Sequence, residues 1–162
     1  MNAQSKIDTV NAWFAESYAK DHDDWELRIG GATTNTWTAS RGAVVILENT
    51  TGTILYSTGI VQTIPVSRGV ILMHGDLARY LSVRQMKAIL LHEIGHLLFG
   101  MSELKADKYA VDCGYGYSLA AGLEKLYKLL WVTEWEYQPT YFGTPLTRVA
   151  RIRKNARIHR HS

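Results

Sequence analysis

Cysteine is nearly missing from this sequence: Cys113 is the only one in 162 residues. A lone thiol excludes an internal disulfide framework and fits a reducing compartment. Long apolar runs are missing as well. No stretch approaches the roughly 18 residues needed to span a bilayer. The opening "MNAQSKIDTVNAWF" has no cationic start leading into an apolar block, so it does not read as a secretory signal. These absences predict a soluble, cytoplasmic protein with no membrane partner. Acid is missing from the C-terminal end. The last carboxylate is Glu136, and six cations follow it: Arg148, Arg151, Arg153, Lys154, Arg157 and Arg160. The net charge of +3 is therefore a property of the tail. Repeats and low-complexity linkers are absent too, and the length suits one domain over 1–162, with a basic helix or tail over 145–162. What is present, 46% hydrophobic and 20% charged residues, is the composition of a globular domain.

Periodicity predicts an α+β chain. Ile7, Val10, Phe14 and Tyr18 recur at helical spacing, giving an amphipathic helix over 3–20. Between 25 and 75 the pattern changes to "WELRIGG", "GAVVILENTTGTILYS" and "RGVILMHGD", read as at least three strands with "ENTTGT" as a hairpin turn. Ser82 and Gln85 have capping-box spacing, opening a helix through "MKAILLHEIGHLLF" that Gly100 can end. Ser102 can cap a second helix, "ELKADKYAVDC", and a third covers "SLAAGLEKLYKLLWVTEW" before Pro139. A last helix starts near Pro145, with Val149, Ile152 and Ala156 as an apolar stripe. Its cations read first as a solvated face, and second as a weak, non-specific polyanion-binding arm, since no aromatic residues interleave with them.

The chemistry concentrates in "HEIGHLLFGMSELKAD", residues 92–107. On a helix, residues four apart share a face, so His92 and His96 can aim two imidazoles at one point. Glu93 lies about 100° around the helix, able to reach a water at that point without ligating the metal. This is the H-E-x-x-H arrangement of zinc hydrolases. A third ligand is needed, and Glu103 is the candidate, in the first turn of the helix that returns after Gly100. Asp107 can accept a hydrogen bond from the outer nitrogen of a ligating histidine. Ala106 and Ala110 on the same face permit a close approach of the two helices. The surroundings, "AILLHEIGHLLF", are apolar enough to make two histidines and a glutamate costly without a metal or partners.

"AILLHEIGH" followed by "ELKADKYAVD" resembles the gluzincin metallopeptidases, in particular the HtpX-like and CAAX-prenyl-type peptidases, over residues 68–113 and more faintly at "TPLTRVARI", 144–152. The resemblance implies a small zincin-like domain, a Zn2+ cofactor held by His92, His96 and Glu103, Glu93 as general base and Asp107 behind a ligand. It also implies that "GVILMH" is an edge strand, where an extended peptide substrate would pair by β-augmentation. Only six residues separate His96 from Glu103, fewer than in the membrane-embedded members, and no transmembrane helix is present, so this would be a minimal soluble form. For the oxyanion donor, His74, Tyr109, Tyr115, Tyr117 and Tyr141 remain open. The expected function is a zinc-dependent endopeptidase. Two alternatives stand beside it: a regulatory peptidase like the ImmA/IrrE proteins, cleaving one partner, and a non-catalytic zinc-containing nucleic-acid-associated or virion protein. Oligomeric state is not specified by these features.

Overall fold

The computed structural model of the protein describes residues 1–30, 43–46, 53–56, 61–63, 69–100, 102–129 and 145–161. They form a small α+β protein that divides into two compact units, Met1–Val83 and Arg84–Ser162.

In the first unit, helix α1 (Ala3–Ser17) begins where the Asn2 side chain accepts a hydrogen bond from the Ser5 amide at 2.8 Å. This cap satisfies one of the amides left open at a helix start. Its apolar face buries Val10 and Phe14. A short 3-10 turn, Ala19–Asp21, leads into β1 (Trp25–Gly30). Aromatic rings bracket that turn, with Tyr18 stacked on Trp25 at 6.3 Å and His22 on the same indole at 3.7 Å. The remaining strands are β2 (Ala43–Ile46), β3 (Thr53–Tyr56), β4 (Val61–Thr63) and β5 (Gly69–His74). Their order across the sheet is β1-β5-β2-β3-β4. β2 and β3 pair antiparallel, as a hairpin requires; residues 47–52, which hold most of the expected "ENTTGT" turn, lie outside the described residues.

The expected edge strand is an interior one. β5 runs parallel to β1, with Trp25 opposite Gly69, and antiparallel to β2, with Ala43 opposite Met73. Its amides and carbonyls are thus engaged on both sides, and a peptide cannot add there. The physical reason is visible in "GVILMH". Val70, Ile71 and Met73 are all buried, and a continuous apolar run, rather than an alternating one, marks a strand covered on both faces. The outer strands are β1 and β4. After β5, a 3-10 segment (Gly75–Arg79) buries Leu77 and Ala78. α1 packs against it, and Lys6 Nζ donates to the Leu81 carbonyl at 3.0 Å.

The second unit is helical. α2 (Val83–Phe99) ends at Gly100, whose φ of +85° is the left-handed conformation glycine takes without penalty. α3 (Glu103–Asp112) starts with the Ser102 hydroxyl accepting from the Lys105 amide at 3.2 Å. Gly95 sets the distance between these two helices: a Cβ there would come within 2.8 Å of the Ala106 Cα. Only glycine against alanine allows that approach. α4 (Gly116–Leu129) and α5 (Pro145–His161) close the core. Leu119, Ala120, Leu123, Val149, Ile152 and Ala156 are buried there. The expected apolar stripe of the last helix is therefore the face that docks. Residues 130–144, where the third helix was expected to continue and where Pro139 and Tyr141 fall, lie outside the described residues. Among the described residues no helix is long and apolar enough to cross a membrane.

Candidate metal centre

His92 and His96 occupy successive turns of α2 and turn their rings nearly at right angles, 89° apart with centroids at 4.8 Å. Their Nε2 atoms are 3.2 Å from each other. The reversal at Gly100 and the cap at Ser102 bring Glu103 back over them. Its Oε2 lies 2.8 Å from His92 Nε2 and its Oε1 lies 3.2 Å from His96 Nε2. One ligand atom from each of the three residues fits within 4.8 Å of the others.

Proton accounting shows why a cation suits this cluster. His96 Nδ1 is 2.9 Å from the Gly100 carbonyl, which can only accept, so Nδ1 carries the hydrogen. His92 Nδ1 is 2.8 Å from Asp107 Oδ1 and donates to that carboxylate in the same way. In each neutral imidazole the lone pair is then on Nε2. Two nitrogen lone pairs and a carboxylate therefore converge on one volume, three acceptors with no donor between them. Glu103 Oε2 is buried without a properly directed hydrogen bond, despite its 2.8 Å approach to His92 Nε2. Atoms that are close but misdirected for hydrogen bonding are arranged as ligands converging on an ion are. His92, His96 and Glu103 can hold a metal.

Without an ion, protons fill the same role. Burial lowers the His92 pKa, but the carboxylates of Glu103 and Asp107 overturn that and raise it to about 10. His96 is also raised, with burial opposed by its contact to Glu103. The two carboxyls are resisted by burial yet held well below the usual range, Glu103 by His92 and His96, and Asp107 by Arg148 and His92. Metal uptake must displace the imidazole protons, so affinity falls as pH falls and loading releases acid.

Glu93 is different in kind. It is 1% exposed, its Oε1 sits 4.0 Å from His92 Nε2, and that oxygen has no hydrogen-bond partner. Burial pushes its carboxyl up to about 7 against the pull of the two histidines. A carboxyl that changes charge near neutrality, beside a cluster that can hold a metal, is placed to exchange a proton.

Arg148 is the residue that sequence reasoning counted merely as a tail cation. It is 4% exposed and grips Asp107 at two points, Nε to Oδ2 at 3.0 Å and Nη2 to Oδ1 at 2.8 Å. A continuous chain runs from Arg148 through Asp107 to His92 Nδ1. Arg151 from the same helix approaches Asp107 Oδ2 at 3.8 Å. A signal existed: Arg148 shares the helical face of Ile152 and Ala156, and an arginine in an apolar stripe demands a buried carboxylate. The candidates for an oxyanion donor are scattered. Tyr109 packs its ring 5.8 Å from Phe99, Tyr115 lies under the Arg84 guanidinium at 4.2 Å, and Tyr117 lines a half-open cavity with Val111 and His159. His74 ends β5 in the first unit, and Tyr141 lies outside the described residues.

Ligand and support are separable by mutation. Glu103→Ala removes one of the three residues that can ligate an ion and should lower divalent-metal affinity by more than about 100-fold, whereas Asp107→Ala should cost about 10- to 100-fold through the histidine it orients. Competition titration with a chromophoric chelator measures both. The reverse ranking would put Asp107 on the metal in place of Glu103.

No family model matches the chain, and no curated protein or solved structure matches it either.

Proposed function

We propose that this protein is a zinc-dependent endopeptidase. The observation that carries the reading is the convergence of two histidine lone pairs and the Glu103 carboxylate beside the buried carboxylate of Glu93, whose Oε1 has no hydrogen-bond partner. Two imidazole nitrogens and one carboxylate oxygen form a donor set suited to zinc, and three protein ligands leave a coordination position open, as in catalytic sites. A structural zinc is usually closed by four protein ligands; three such residues cluster among the described ones. The resemblance of "HEIGH" and "ELKAD" to the gluzincin peptidases supports the same assignment of roles.

When bound, the ion supplies Lewis acidity, polarising a peptide carbonyl and bringing water toward ionisation at neutral pH. The chain's own residues do the rest. Glu93 accepts the proton of the attacking water and later donates it to the departing amine. Burial serves Glu93 twice, raising its proton affinity and keeping bulk water from competing for it. Asp107, fixed by Arg148, holds the proton on His92 Nδ1 and so keeps the Nε2 lone pair aimed inward. The Gly100 carbonyl does this for His96.

Purified protein should contain about one zinc per chain, and a chelator should abolish cleavage of a mixed peptide library, with zinc restoring it. Cleavage that survives complete demetallation would end the metal's role. A fully loaded protein that cleaves no peptide would end the peptidase reading while leaving the metal centre intact.

A further inference from the structure

We propose that the outward face of α5 is a nucleic-acid contact surface that grips the phosphate backbone. The structure divides the helix's cations into two groups. Arg148 and Arg151 turn inward toward Asp107. Arg153, Lys154 and Arg157 lie on the other side, where Lys154 and Arg157 are exposed and Arg153 shares Glu124 at 2.9 Å. Burial of Val149, Ile152 and Ala156 holds the helix on its unit, so these cations are displayed on a fixed scaffold rather than a loose tail.

The charge balance favours a polyanion. Residues 84–162 hold twelve Lys and Arg against seven Asp and Glu; three of the acids, Glu93, Glu103 and Asp107, and two of the cations, Arg148 and Arg151, belong to the cluster around His92, which leaves ten cations against four acids. α5 itself contains no acid. Lys154 and Arg157 are three residues apart and Arg153 and Arg157 four apart, spacings at which like charges on a helix repel. A row of phosphates relieves that repulsion and releases counterions on binding.

An anionic membrane fits less well. Surface-binding helices insert an apolar face, and the apolar face of α5 is already buried within its own unit. Among the described residues, Ile158 at 60% exposure is the one large apolar side chain this helix exposes. Phosphate contacts position a protein without reading sequence, so the binding is non-specific. This inference does not depend on the peptidase reading.

Fluorescence anisotropy of the full chain with a labelled duplex of about 20 base pairs at about 25 mM salt should show saturable binding, and log affinity should fall against log salt with a slope of about −2 to −3. The K154E/R157E double variant should bind at least about tenfold more weakly. K20E/R79E, an equal change in net charge on exposed positions of the first unit, should bind as the parent does. Absence of saturable binding at low salt would overturn the proposal. So would equal weakening by both double variants, or tighter binding to phosphatidylserine vesicles than to the duplex at the same salt.

Discussion

Glu93→Gln should leave the fold and the bound metal in place and lower peptide hydrolysis by about 10^2- to 10^4-fold. The amide has the shape of the carboxylate, and Glu93 is set apart from the three converging ligand atoms. What it loses is the capacity to accept a proton. Glu93 Oε1 has no hydrogen-bond donor, so the substitution breaks no hydrogen bond at that atom, and metal content together with the urea midpoint separates lost chemistry from lost structure. The pH profile gives a second readout. A general base works as carboxylate, so activity is lost as pH falls through its pKa. That value is about 7 for the metal-free site, and a neighbouring dication lowers it, placing the acid limb below 7 in the loaded protein. The limb should vanish from any residual activity of the variant. A Gln variant that holds one metal and turns over at the parental rate would remove Glu93 from the mechanism.

Arg148→Ala is expected to be among the most destabilising single changes, costing about 3–5 kcal/mol, because it removes the two-point cationic partner of the buried Asp107 carboxylate and leaves it His92 and the more distant Arg151. Urea denaturation of metal-free protein measures this. Burial opposes ionisation of Asp107, but Arg148 and His92 overcome it and hold its carboxyl well below the usual carboxylate range in the folded chain. Its stabilisation is therefore present above about pH 4 and is lost as pH falls through the depressed value. Without Arg148 the depression shrinks, and acid unfolding should begin at higher pH than in the parent. Metal affinity should also weaken, by up to about 10-fold, since Asp107 loses the grip that fixes it against His92 Nδ1. Arg148→Lys keeps the charge but not the two-point grip, and should recover part of the stability and less of the affinity. If Arg148→Ala unfolds at the parental urea midpoint, the buried pair contributes nothing and the chain from Arg148 to His92 is not a support.

Sequence by itself determined the local pieces of this protein. Helical periodicity placed α1, α2, α3 and α5; the caps at Ser102 and Gly100 followed from residue chemistry that acts within four positions; and the i, i+4 histidines were bound to share a face. Such features depend on backbone geometry within a turn or two, which sequence encodes directly. The Glu103 assignment was nearly as local, because a single reversal returns it to the same two rings. Tertiary structure alone decided the rest. β5 became an interior strand through pairing with β1, more than forty residues earlier in the chain, and "GVILMH" carries no mark of which partner lies on which side. Arg148 became the anchor of Asp107 across 41 residues, while its neighbours Lys154 and Arg157 stayed outside. A cation in a basic run looks the same whether it is solvated or buried. Only the packing of α5 against α3 and α4 sets which arginine meets a carboxylate, because desolvation is paid and repaid between residues that sequence does not bring together.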